Sequence, residues 1–203
     1  QDATSLYYLG LCYLKQGRTN EALDKLYRST WDYRWTSAGY TLVARVEGSK
    51  KNWEKALDAA SRACRANTQN IEALLAKAIV LRQLGAFEEE LDILKQALIV
   101  DPLCFAAMNE MRLLSNRIPI GANTASCQES LLNHLRTEPY NYIETATRYS
   151  NFGLYTDAAE VMSFAAESTQ PSLNTYPMVY YHLGAYLSLA GQQAESEQVL
   201  QKA

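Results

Sequence analysis

Apolar residues recur three and four positions apart along most of this 203-residue chain, and the recurring unit itself repeats. Tyr8-Leu9-Gly10-Leu11-Cys12-Tyr13-Leu14-Lys15-Gln16-Gly17 returns as His182-Leu183-Gly184-Ala185-Tyr186-Leu187-Ser188-Leu189-Ala190-Gly191, with related copies between. A helix-spaced apolar stretch closed by glycine and followed by a second such stretch predicts a helix, a turn and a helix. One hairpin of that kind cannot bury its apolar face alone. Stacked copies can, so the pattern predicts an all-α array that presents a long surface rather than one closed pocket. Such a surface points to binding, not to catalysis.

The first copy carries Leu6, Leu9, Gly10, Tyr13, Gly17, Ala22 and Leu26. The second has Tyr40, Val43, Ala44, Ala56, Ala60 and Ala63, and the third Leu74, Ala78, Leu81, Gly85, Leu94, Ala97 and Pro102. Ala22 to Ala56 is 34 residues, Ala56 to Glu90 is 34, and Ala158 lies twice 34 further on. The residues and the period resemble the tetratricopeptide family, with leucine in place of its tryptophan and phenylalanine. The resemblance implies a right-handed superhelix, an α-solenoid of about six antiparallel hairpins, whose first helices line an inner wall.

We place the repeats at about 3–36, 37–70, 71–104, 105–139, 140–172 and 177–203, all in one solenoid domain spanning 1–203. The fourth is irregular. Met108 and Met111 mark its first helix, Arg117 to Asn123 interrupts it, and a second helix is predicted from about Ser126 to Thr137. The sixth stops inside its second helix with no polar cap, and the chain starts at Gln1 inside a repeat, so a segment of a longer protein is expected. The open end near Val199 and Leu200 is then a candidate for self-association.

Repeated residue types have steric causes. Gly10, Ala44, Ala78, Ala146 and Gly184 are small enough for the two helices of a hairpin to cross closely, while Gly17, Gly85, Gly153 and Gly191 should end first helices in the left-handed conformation. Glu90 breaks the rule, standing where other repeats have Ala22, Ala56, Ala158 and Ser196. A buried carboxylate is costly, so the expectation is a local shift that lets Glu90 reach solvent, with a perturbed acid in a crevice as the alternative.

Composition narrows the classes. The formal net charge of −3 conceals +4 through residue 65 and −7 beyond it, yet no basic cluster interleaved with aromatics offers itself to nucleic acid. No apolar run is long enough to span a membrane. Cys12, Cys64, Cys104 and Cys127 show no CxxC spacing and read as buried reduced thiols, which fits a reducing compartment such as the cytoplasm; a periplasmic location would follow from a signal peptide on the parent protein. His134 and His182 lie in different repeats, and no phosphate loop or nucleophile elbow is present. We therefore expect no enzyme, no cofactor, no metal, and no nucleic-acid or membrane partner.

Tyr27, Trp31, Tyr33 and Trp35, followed by Tyr40, crowd the junction of the first two repeats. Trp31 and Trp35, four apart, are expected to brace adjacent hairpins; the alternative is an exposed platform of Trp31, Tyr33 and Trp35 for a sugar or peptide. The run Ser29-Thr30-Trp31-Asp32-Tyr33-Arg34-Trp35-Thr36-Ser37-Ala38 also resembles the helical region of bacterial proteins carrying the domain of unknown function DUF5107. That likeness implies an accessory module of a carbohydrate-active protein, touching glycan or its own catalytic domain.

The tetratricopeptide resemblance puts Tyr7, Leu11, Arg45, Ile79, Arg82 and Tyr181 on the inner wall, the candidate groove for a protein or peptide. The lysine and asparagine clamp that some relatives close on acidic tails is absent: the matching positions hold Tyr7, Leu11, Leu42, Glu72 and Ala76. Arg45 and Arg82 remain the cations able to meet a carboxylate.

Overall fold

The computed structural model describes residues 2–203, leaving Gln1 outside, and divides into two compact units, Gln1–Cys127 and Gln128–Ala203. Among the described residues there are helices and turns and no strand. In the first unit α1 (Ala3–Lys15) pairs with α2 (Thr19–Ser29), α3 (Tyr33–Ser49) with α4 (Trp53–Ala66), and α5 (Ile71–Leu84) with α6 (Phe87–Val100), after which α7 (Phe105–Ser115) follows. Short polar residues cap the first helices α1, α3 and α5. Asp2 accepts from the Thr4 amide at 3.1 Å, Asp32 from Arg34 at 3.0 Å and Asn70 from Ala73 at 3.2 Å, each satisfying one of the first-turn donors.

The first-to-second helix turns adopt the predicted left-handed conformation at Gly17 (φ 73°), Gly85 (73°), Gly153 (70°) and Gly191 (87°). Repeat two has Lys51 there instead, at φ 60°, a conformation that costs a side-chain-bearing residue about 1 kcal/mol. At the crossing of α1 and α2, a Cβ built on Gly10 would stand 2.8 Å from Leu26 Cγ. The glycine is what allows fully buried Leu26 to fill the hairpin.

The core of this unit is centred on α5, from which Leu74, Leu75, Ala78, Ile79, Val80 and Leu81 are all buried. A first helix in mid-array has its own partner on one side and the neighbouring hairpins on the others, so its apolar stripe widens almost all round. Leu74, Leu94 and Leu114 are fully buried in one cluster, each contributing about 1.5–3 kcal/mol of transfer free energy. The interruption after α7 joins that core: Ile118 and Ile120 fold back onto it, and α8 (Thr124–Leu135) starts two residues before the predicted position. Thr124 Oγ1, 2.7 Å from Asn116 Oδ1 and 2.9 Å from Ser115 Oγ, closes the loop.

The second unit takes up the remainder of α8, the hairpin of α9 (Pro139–Ser150) and α10 (Tyr155–Ala166), and that of α12 (Pro177–Leu189) and α13 (Gln193–Leu200). Between the hairpins the polar stretch after residue 170 forms a single helical turn, α11 (Pro171–Asn174), pinned by Leu173 at 1% exposure. A four-residue helix has no apolar period, so the pattern of the sequence had no means of revealing it. Gly184 repeats the role of Gly10, with Leu200 Cγ 2.5 Å from where its Cβ would lie, and Ser196 Oγ donates to the Gly184 carbonyl at 2.8 Å.

The cysteines correct one expectation. All four are free thiols, but only Cys104 is buried; Cys64 and Cys127 are half-buried and Cys12 is exposed.

Candidate functional site

In the first unit the first helices α1, α3, α5 and α7 lie side by side, each touching the next. Tyr7 and Leu11 are half-buried on α1, and next to them Tyr8, which the sequence reading passed over, is 55% exposed. Tyr7 stacks on Trp35 with ring centroids 4.5 Å apart, Tyr8 meets the same indole edge-on at 5.7 Å, and Trp35 Nε1 donates to Thr4 Oγ1 at 3.1 Å. An indole bonded at its polar end and stacked on its face is a brace between hairpins.

The two tryptophans therefore part company. Trp35 takes the bracing role and drops out of the expected platform, whereas Trp31 is 84% exposed and Tyr33 85%, standing free at the corner between α2 and α3. They part because α3 begins at Tyr33, so the two residues do not share one helix and four-residue spacing does not put them on one face.

The arginines of the expected groove are engaged inside the protein. Arg45 on α3 pairs with Glu72 on α5, and Arg82 on α5 forks onto Glu110 on α7 through Nε at 2.8 Å and a terminal nitrogen at 3.3 Å. These pairs tie successive first helices together. Their acidic partners lie 27 and 28 residues downstream, one repeat along less about two turns, a spacing visible in the sequence once the helices are known to be neighbours. Ile79, also expected on the wall, is 1% exposed and offers nothing to a partner, because α5 is enclosed by hairpins on both sides. In the second unit Tyr181 is 53% exposed and meets His182 edge-on at 5.5 Å.

Glu90 lies behind this face and contradicts the expectation that it reaches solvent. It is fully buried on α6, with no cation or backbone donor bonded to its carboxyl and the Glu110 carboxyl close by. Burial first, and the charge of Glu110 second, push its pKa up to about 8, with Arg82 pulling the other way. The helix cannot shift outward to release it, since Leu91 and Leu94 on the same face are held in the core. On α7, Arg112 Nε donates to Asn109 Oδ1 at 2.9 Å. The outcome is a buried carboxylic acid beside a buried ion pair.

Among the described residues no three His, Cys, Asp or Glu side chains are grouped to hold a metal, and no helix is long and apolar enough to cross a membrane.

Against known proteins, the tetratricopeptide repeat family model matches residues 44–109. A tetratricopeptide repeat protein from Parabacteroides merdae ATCC 43184 aligns over 98% of this chain and 78% of its own, with TM-score 0.57 and 16% identity. Pseudomonas aeruginosa pilF aligns over 97% and 88%, with TM-score 0.60 and 18% identity. TTC0263, a thermophilic TPR protein in Thermus thermophilus, aligns over 92% and 99%, with TM-score 0.57 and 17% identity. No curated protein matches the chain. The narrower likeness to DUF5107-containing proteins finds no counterpart among these matches. Residues 44–109 thus belong to the tetratricopeptide repeat family, and the helical hairpins before and after them share its fold.

Proposed function

We propose that the chain is a non-catalytic protein-interaction scaffold, and that in its first unit the first-helix face around Tyr7, Tyr8 and Leu11 receives a peptide or protein. Tetratricopeptide folds suggest such a role through the extended surfaces that stacked hairpins create. The observation that carries the assignment to this face is the aromatic group on α1: a tyrosine 55% exposed, held against a stacked Tyr7–Trp35 pair that fixes its surroundings. Rigid, partly exposed aromatics bind at low entropic cost. Arg45 and Arg82 support the face from within rather than gripping the partner, and in the second unit Tyr181, at the repeat position of Tyr7, is an exposed aromatic.

The test is selection of displayed peptides on the immobilised chain, followed by affinity measurement on variants. Replacing Tyr8 by alanine together with Leu11 by serine should weaken the selected peptides tenfold or more, while the circular dichroism melt stays within a few degrees of wild type. Peptides that bind that double variant as tightly as wild type would remove this face.

A second reading rests on the exposure of Trp31 and Tyr33: the corner between α2 and α3 contacts glycan or another domain of a parent protein. Loss of binding in Trp31→Ala/Tyr33→Ala, with Tyr8→Ala/Leu11→Ser unaffected, selects the second reading over the first.

A further inference from the structure

A cavity of about 540 Å³ opens in the second unit, walled by the later part of α8 and by the end of α10 with the turn that follows it. Its floor carries Tyr142, Phe164 and Leu173, and the polar part of its lining includes Gln128, Asn133, Arg136, Glu167 and Thr169. A mostly polar pocket of this size suits a short segment of chain, whose backbone brings its own donors and acceptors, better than an apolar ligand.

The rim groups are uncommitted. Among the described residues, the Arg136 guanidinium and the Glu167 carboxylate line one space without an ion pair or hydrogen bond to each other or to anything else, and the amides of Gln128 and Asn133 are equally free. Two opposite charges held apart across one cavity leave room for something between them.

Arg136 is also a poor residue for its backbone. It follows α8 at φ 55°, in the left-handed conformation where glycine ends a helix without a Cβ clash. Glycine would make that turn without the strain; arginine instead adds a cation at the C-terminal end of α8 and at the mouth of the cavity. Its backbone is fixed: the amide donates to the Leu132 carbonyl at 3.0 Å, and its own carbonyl accepts from Tyr142 Oη at 3.1 Å. The guanidinium thus starts from an anchored base at the mouth of the cavity.

We propose that this cavity is a second peptide site of the chain, one that takes a segment bearing a single carboxylate. A guanidinium offers a planar fork that matches a carboxylate. Side-chain amides offer the donor and acceptor pair that a peptide bond needs. Glu167 sets the limit: it disfavours a second negative charge and asks for an N–H donor next to the first, which a peptide backbone provides. The site deepens the scaffold reading and rests on it, but it uses the second helices α8 and α10 instead of the first-helix face. The carboxylate can come from an acidic side chain or from a free carboxyl terminus.

Isotope-labelled full chain titrated with three pools of acetylated tetrapeptides tests the site: one internal glutamate with an amidated end, neutral side chains with a free carboxyl terminus, and one lysine with an amidated end. Amide shifts at Asn133, Arg136 and Thr169 with either carboxylate pool, and not with the lysine pool, are expected, and the responding pool identifies the source. Arg136→Gly is the decisive variant. It should raise the melting temperature, by relieving the left-handed arginine, and weaken the responding pool at least tenfold, so that lost binding cannot come from lost folding. No shift with either carboxylate pool, equal shifts with the lysine pool, or undiminished affinity in Arg136→Gly overturns the site. Tyr8→Ala/Leu11→Ser should leave this titration unchanged, which separates its failure from failure of the first-helix face.

Discussion

Glu90 makes the stability of this protein depend on pH in a direction opposite to that of an ordinary surface carboxylate, and Glu90→Gln should abolish that dependence. In the folded chain the carboxyl is buried between Arg82 of α5 and Glu110 of α7 and titrates at about 8, against 4.5 for the unperturbed group. A raised acid pKa means that the folded state holds its proton where the unfolded state has released it. This contribution is therefore fully present below pH 4.5, falls as pH rises toward 8, and is flat above that. The slope is about 1.4 kcal/mol per pH unit over about three and a half units, giving about 5 kcal/mol in total and about 3 kcal/mol already lost at pH 7.

Glutamine keeps the shape and a neutral polar head but has no proton to lose. Urea denaturation of both proteins from pH 5 to 9 should give similar midpoints at pH 5 and a widening advantage for Glu90→Gln, reaching about 3 kcal/mol near pH 7. Groups remote from Glu90 titrate equally in the two proteins and cancel in the difference, which reports the interacting Glu90 and Glu110 carboxyls together. Parallel curves would refute the reasoning, because they would mean that Glu90 is ionised and solvated in the folded chain.

Further substitutions test the packing. Gly10→Ala places a Cβ 2.8 Å from Leu26 Cγ in a hairpin whose leucine has no free space, and should cost about 1–3 kcal/mol in a urea melt. Trp35→Ala removes the ring stacked on Tyr7 and its bond to Thr4, and should cost about 3 kcal/mol, while Trp31→Ala at 84% exposure should stay within about 0.5 kcal/mol; equal losses in the two would contradict the division of roles between them. Arg82→Met strands Glu110, which is fully buried, and should cost about 3–5 kcal/mol, largely recovered in Arg82→Met/Glu110→Leu, as thermal melts of the single and double variants would report.

How much was legible in the sequence can be judged residue by residue. Gly17, Gly85, Gly153 and Gly191 were readable because the left-handed turn is a local demand of the backbone that glycine meets without strain, whereas Lys51, which makes the same turn in repeat two, carried no such signal. Gly10 and Gly184 were readable for the same reason, since the close crossing recurs in every hairpin. The burial of Ile79 and the engagement of Arg45 and Arg82 were not. A residue on the inner face of one hairpin looks accessible until the neighbouring hairpins are in place, and its partner then comes from a helix 27 or 28 residues away.

The sequence by itself determined the repeating hairpin, its period, its turns and the place where the period slips, because each follows from the local spacing of apolar and small side chains. Only the tertiary structure decided the fate of the exceptions. Trp35 became a brace and Trp31 a free corner, Ile118 and Ile120 turned an interruption into core, Glu90 stayed inside, and Arg136 came to stand at a cavity. The physical reason is that helix formation is set within a few residues, whereas burial, pairing and protonation are set by whichever distant residues the stacking brings alongside.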